Sequence, residues 1–128
     1  MDDIELVQSH AKKIVSHEVL DAYYYFVGIG VTSPEFSCKA VNKGEVCDFR
    51  YYVGKEQPFA FIINQKSLKF YFRKFSIEEY GMSVEGLKRH IQNETVELKK
   101  PPRREFSVDI YNLETARNVA NYALLRNR

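Results

Sequence analysis

The sequence predicts an α+β fold: a two-layer domain with a mainly antiparallel sheet of five to seven strands, and an N-terminal and a C-terminal helix packed on one face of it. Three observations predict this. The stretch from Pro58 to Lys74 is the densest apolar and aromatic segment and reads as two strands, with large side chains at alternate positions, joined by a polar turn. The first and last segments repeat apolar residues every three or four positions. The length of 128 residues, 45% hydrophobic and 28% charged, is enough for one core without disulfides or metal.

Asp2 or Asp3 can cap a first helix with Ile4, Val7, Ala11, Ile14 and Val15 on its apolar face. The next segment, 19–31, reads as a strand, because Tyr23-Tyr24-Tyr25-Phe26-Val27 is rich in strand-favouring residues. Gly28 and Gly30 then share one face and admit a close neighbour. A phosphate loop at Gly28-Ile29-Gly30 is excluded, because Val31-Thr32-Ser33-Pro34 follows instead of a helix start.

Residues 36–41 and 45–53 form a hairpin around Asn42-Lys43-Gly44, which lets Cys38 and Cys47 face each other. Without a secretory signal these are two buried thiols rather than a disulfide, and too few ligands for zinc. In the second strand Cys47, Phe49, Tyr51 and Val53 share a face, and Asp48, Arg50 and Tyr52 the other. A turn over 54–58 leads into the central hairpin. If Val53 pairs with Phe59, then Tyr51 meets Phe61 and Phe49 meets Ile63. With Gln65 and Lys66 as the central loop, Phe59 faces Phe72, Phe61 faces Phe70 and Ile63 faces Leu68. The opposite side carries Ala60, Ile62, Lys69, Tyr71 and Arg73.

Ser76-Ile77-Glu78-Glu79 has the form of a capping box, with Gly81 as a prompt stop. Ser83 opens a second short helix with Val84, Leu87 and Ile91 inward. Residues 95–99 and 105–110 read as strands, the latter with Phe106, Val108 and Ile110 on one face. Between them, Lys99-Lys100-Pro101-Pro102-Arg103-Arg104 is stiffened by proline and projects four positive charges. Asn112 caps a last helix with Leu113, Ala116, Ala120, Ala123 and Leu124 inward, and no Gly or Pro ends it. One domain over 1–128 is expected, compatible with the front module of a longer chain.

Charge is uneven. Residues 1–64 carry 6 Lys/Arg against 9 Asp/Glu, and residues 65–128 carry 13 against 8. The basic second half points to an anionic partner. No apolar run approaches the ~20 residues of a membrane span, and Met1-Asp2-Asp3 begins no signal peptide, so a cytoplasmic location without membrane contact is expected.

The outer sheet face therefore combines Arg50, Tyr52, Lys69, Tyr71 and Arg73. Tyrosine rings offer faces on which bases stack, while Lys and Arg neutralise phosphates. Lys99, Lys100, Arg103 and Arg104 add a cationic loop beside it. The expected function is a non-catalytic nucleic-acid-binding module with these nine residues in contact, DNA ahead of RNA, and no cofactor or metal. The same alternation also serves ordinary cross-strand packing and edge protection with no ligand at all. A second class of reading is a protein-interaction or inhibitor domain that sets the same aromatics and cations against an acidic protein surface. A third is enzymatic: Glu97-Leu98-Lys99 matches the carboxylate-x-lysine element of small Mg²⁺-dependent nucleases, for which the upstream acid on a strand would be Asp48. His10 and His17 share a helical face but stand two turns apart, too far to chelate one metal, and His90 lies on an exposed helix. Catalysis within the chain is thus disfavoured but left open.

The string Phe61-Ile62-Ile63-Asn64-Gln65-Lys66-Ser67-Leu68-Lys69-Phe70-Tyr71-Phe72-Arg73-Lys74, with Arg104-Glu105-Phe106-Ser107-Val108-Asp109-Ile110 and the terminal Glu114-Thr115-Ala116-Arg117, resembles small recognition modules that precede nuclease domains in modification-dependent restriction systems. That resemblance covers the second half of the chain. It implies duplex DNA binding with a pocket for a modified group, no catalysis in these residues, and no transferable site residue.

Overall fold

A computed structural model describes residues 3–91, 96–98 and 105–126. Helices α1 (Asp3–Lys13) and α2 (His17–Thr32) come first, followed by strands β1 (Ser37–Lys43), β2 (Val46–Val53), β3 (Glu56–Ile63) and β4 (Leu68–Phe72). Then come α3 (Lys74–Tyr80), α4 (Val84–Lys88), β5 (Val96–Leu98), β6 (Phe106–Ile110) and α5 (Leu113–Ala123). The six strands form one antiparallel sheet in the order β1-β2-β3-β4-β6-β5. The α+β class and the terminal helices are as the sequence predicts.

The central hairpin sets the frame. Phe59 pairs with Phe72, Phe61 with Phe70 and Ile63 with Leu68, in the expected register. Their side chains are fully buried and point to one side of the sheet. Phe106, Val108 and Ile110 continue that side on β6, where the Phe72 and Phe106 rings stack at 4.5 Å. The β2–β3 register is two residues from the expected one: Tyr51 opposes Phe59 and Phe49 opposes Phe61. The turn closes early, as two residues, Gly54-Lys55, with Gly54 at a φ of 60° that suits glycine. An even shift leaves each residue on its face, so the inner and outer sets are unchanged. Gly44-Glu45 is the equivalent turn between β1 and β2, and Asn42 and Lys43 of the expected turn belong to β1. Cys38 consequently opposes Tyr51 and Cys47 opposes Asn42, so the two free thiols do not face each other.

The largest departure is α2. Residues 19–31 are helical, not extended. Val19, Ala22, Tyr23, Phe26, Val27 and Gly30 are its buried residues, at spacings of three and four. Ser16 caps it by accepting from the Val19 N–H, and Pro34 follows its end. Tertiary packing overrides the strand preference of the tyrosines: Phe26 lies 5.4 Å from Phe61 and 5.1 Å from Phe70, and Tyr23 meets Phe61 edge-on at 6.0 Å. Two tyrosine hydroxyls fasten β2 to α2 and α2 to α1. Tyr51 donates to the Phe26 carbonyl at 2.7 Å and Tyr23 to the Val7 carbonyl at 2.8 Å. Being helical, Gly28 and Gly30 face opposite ways. Gly28 is exposed, and Gly30 sits against the Phe49 and Tyr51 rings.

Smaller corrections follow from local hydrogen bonding. On α1 the inward residues are His10 and Ala11, with Ile14 just beyond, whereas Ile4 is 71% and Val15 62% exposed. The chain breaks after Lys13, and the Val15 N–H bonds to the Gln65 carbonyl, tying the interhelix link to the β3–β4 loop. His10 and His17 therefore belong to different helices. Asp2 lies outside the described residues. No capping box forms at Ser76, because α3 starts at Lys74 and the Ser76 hydroxyl donates back to the Arg73 carbonyl at 2.7 Å. Gly81 does end α3, at a φ of 68°. Ser83 caps α4, and Leu87 and Ile91 are buried, as expected. β6 begins at Phe106, one residue later than expected, and Thr95 and Lys99 of the expected fifth strand lie outside the described residues. α5 stops at Ala123 without glycine, the N–H groups of Leu124 and Leu125 both bonding to the Ala120 carbonyl.

Two measurements test this packing. A Cβ on Gly30 would meet Phe49 at 2.9 Å and Tyr51 at 3.1 Å, whereas one on Gly28 meets nothing within 4 Å. Gly30→Val is expected to destabilise by about 1–3 kcal/mol and Gly28→Ala to stabilise by roughly 0.5–1 kcal/mol in urea unfolding. If residues 19–31 formed a strand, the two changes would not separate in this way. His10 is 1% exposed, and neither ring nitrogen has a partner among the described residues. Burial lowers its proton affinity below the ordinary 6.5, with Asp48 opposing and Lys13 adding to the effect. The unfolded chain then binds more protons, so stability falls as pH drops through 6.5 and keeps falling until the folded-state value is passed. His10→Leu is expected to flatten the loss of stability between about pH 7 and about pH 5; an unchanged slope would contradict the assignment.

Candidate nucleic-acid interface

The outer side of the sheet is assembled by strand alternation. One row crosses every strand, running Lys39, Arg50, Ala60, Tyr71, Ser107 and Glu97. The next row contains Val41, Asp48, Ile62, Lys69 and Asp109. Tyr52 lies further along β2 opposite Ser37, and Arg73 follows the end of β4. All five sheet residues singled out from the sequence thus reach the outer side, and all five are half-buried. Tyr71 stands between Ala60 and Ser107, both small and both buried. The four loop cations Lys99, Lys100, Arg103 and Arg104 lie outside the described residues.

The arrangement differs from a simple basic surface, because each outer cation of the expected set bonds to a carboxylate. Arg50 Nε donates to Asp48 at 2.9 Å, and burial of its guanidinium is outweighed by hydrogen bonds to Tyr52 and Asp48, so its affinity for the proton rises. Lys69 Nζ donates to Glu97 at 2.9 Å, which raises the lysine against a smaller opposing effect of burial. Arg73 Nε donates to Glu105 at 3.0 Å. The pairs are not equivalent. Glu105 is 8% exposed and needs its partner, since a buried carboxylate left unpaired is costly. Glu97 is largely in solvent, where such a pair contributes little. Asp109 opposes Lys69 across the strands; burial raises its carboxyl, Lys69 lowers it and Glu97 raises it again. Carboxylates thus stand among the cations throughout the face.

The sequence contains a signal for part of this. Alternation that turns Phe106, Val108 and Ile110 inward must turn Ser107 and Asp109 outward, beside Tyr71 and Lys69. The partners of Lys69 and Arg73 carry no such signal, being 28 and 32 residues away.

The nuclease constellation does not assemble as expected from the sequence. Asp48 is on β2 and Glu97 on β5, with three strands between them, roughly 19 Å at about 4.8 Å per strand. Asp48 is held by Arg50 and Glu97 by Lys69, and Lys99 lies outside the described residues. Among the described residues no group of three or more His, Cys, Asp or Glu is placed to hold a metal ion, and no helix is long and apolar enough to cross a membrane.

Comparison with protein-family models, with curated proteins and with solved structures finds no match to this chain.

Proposed function

We propose that this chain is a nucleic-acid-binding module without a catalytic role of its own, with DNA as the preferred partner. The supporting observation is the half-exposed Tyr71, set between the small Ala60 and Ser107 with Arg50, Lys69 and Arg73 on the same side of the sheet. Small neighbours leave room for a flat group to lie against the tyrosine, and base stacking of this kind is worth about 1–3 kcal/mol. Ion pairing orders the cations without exhausting them: Arg50 engages Asp48 and Arg73 engages Glu105 through Nε, and their terminal nitrogens carry further donors for phosphate. The net positive charge that a polyanion requires comes from Lys99, Lys100, Arg103 and Arg104, in the segment joining β5 to β6. The likeness to recognition modules of modification-dependent restriction systems points the same way and favours DNA over RNA.

A second reading has its own support. The carboxylates Asp48, Glu97, Glu105 and Asp109 interleaved with the cations suit a protein surface of alternating charge better than they suit a uniform polyanion. On that reading the module is a protein-interaction or inhibitor domain.

Titration of labelled duplex DNA, single-stranded DNA and single-stranded RNA at two salt concentrations separates the two. Nucleic-acid binding is expected to weaken with salt at a log–log slope near −0.9 for each duplex phosphate neutralised. Changing Lys99, Lys100, Arg103 and Arg104 to Gln should reduce that slope, and Tyr71→Ala should cost about 1–3 kcal/mol on unpaired bases. Absence of binding to every nucleic acid at low salt would end this reading and leave the protein partner.

A further inference from the structure

A second polar concavity lies on the helix side of the molecule. Tyr122 of α5 reaches the inner face of the sheet, 5.9 Å from the Phe72 ring. Its hydroxyl accepts the Ser83 N–H at 2.9 Å, which fastens α5 to the start of α4. Gly86 makes this approach possible, because any Cβ there would collide with the Tyr122 hydroxyl. The ring of Tyr122 then serves as a platform for two basic groups. The Arg126 guanidinium stands 5.6 Å above its centre, and the His90 ring packs on it at 4.9 Å. His90 is oriented further by Nδ1 donating to the Gly86 carbonyl at 3.1 Å, which leaves Nε2 for another partner. Arg89 joins Arg126 and His90, all three exposed, in lining an open concavity of about 280 Å³.

Two features distinguish this cluster from the outer sheet face. Among the described residues no carboxylate lines the cavity, and neither arginine takes part in an ion pair. On the sheet, in contrast, Arg50, Lys69 and Arg73 are all held by carboxylates. Like charges converging on one concavity repel unless an anion joins them. The volume is just below the roughly 300–1,000 Å³ of ordinary ligand pockets, which suits a compact group. Arginine forks match the tetrahedral oxygens of phosphate.

We infer that the concavity lined by Arg89, His90, Tyr122 and Arg126 is a binding site for a phosphate dianion. The phosphate can be a free small ion or the terminal phosphate of a nucleic-acid strand, since both present the same dianion. The site stands independently of the sheet-face reading, because its residues lie on the other layer.

Titrating the whole chain with inorganic phosphate, followed by amide chemical shifts, tests it. Saturable binding is expected, with shifts concentrated at Ser83, Gly86, Arg89 and His90. Arg89→Ala combined with Arg126→Ala should weaken binding by at least about tenfold, as expected for lost charge-assisted hydrogen bonds, with circular dichroism and the thermal midpoint unchanged. His90→Ala offers a milder second variant that should weaken binding severalfold. A 5′-phosphorylated oligonucleotide compared with its 5′-hydroxyl counterpart identifies the source: preference for the former assigns a strand end, and equal affinity assigns a free phosphate. Tyr71→Ala should leave phosphate binding intact. The inference is overturned if phosphate fails to saturate at millimolar concentration, if the shifts fall elsewhere, or if a folded double variant binds phosphate as well as the parent chain.

Discussion

The inward stacking of rings on one side of the sheet, against α2, is what the remaining structure depends on. Phe49, Tyr51, Phe59, Phe61, Phe70 and Phe72 are all buried on that side, and Phe26 sits among them. Because alternate residues of a strand must point opposite ways, burying these rings dictates the composition of the outer surface. Gly30 lets the end of α2 settle onto Phe49 and Tyr51, and the buried hydroxyl of Tyr51 finds its acceptor in that same helix. Burial holds both Tyr23 and Tyr51 far toward the neutral phenol, so each remains a donor, Tyr51 from the sheet to α2 and Tyr23 from α2 to α1.

How far the chain could be read from residues alone follows from the range of the interactions. The β3–β4 hairpin is local, and its alternation on both sides of a polar turn fixes the pairing of Phe59 with Phe72. The β2–β3 pairing was displaced by two residues because Gly54 closes a tighter turn than its surroundings suggest. Parity survives such a shift, which is why the outer set was legible even though the pairing was not. The reading of 19–31 failed for a different reason. Three consecutive tyrosines favour a strand, yet the spacing of Val19, Ala22, Tyr23, Phe26, Val27 and Gly30 describes one helical stripe. Periodicity, supported by the Ser16 cap, was the better guide than composition.

The chemistry of the surfaces was less accessible than their location. Nothing near Lys69 or Arg73 in sequence announces Glu97 or Glu105, which the fold brings alongside through β6 and β5. A face that reads as basic along two strands becomes a mosaic of both signs when six strands are joined. The cluster on the helix side was missed for the converse reason. Arg89 and His90 are exposed beyond the end of α4, as the sequence suggests, and only the fold brings Arg126 beside them through Tyr122. One surface thus gains carboxylates on folding, while the other collects cations that no carboxylate meets among the described residues.

Mapping amide protection by hydrogen exchange, with and without a short DNA, interrogates the outer face itself. DNA binding at this face requires new protection along β4 and β6 around Tyr71 and Ser107, where stacking and phosphate contact would exclude water. Protection confined to α1 and α2, or none under conditions in which the DNA is bound, would contradict it.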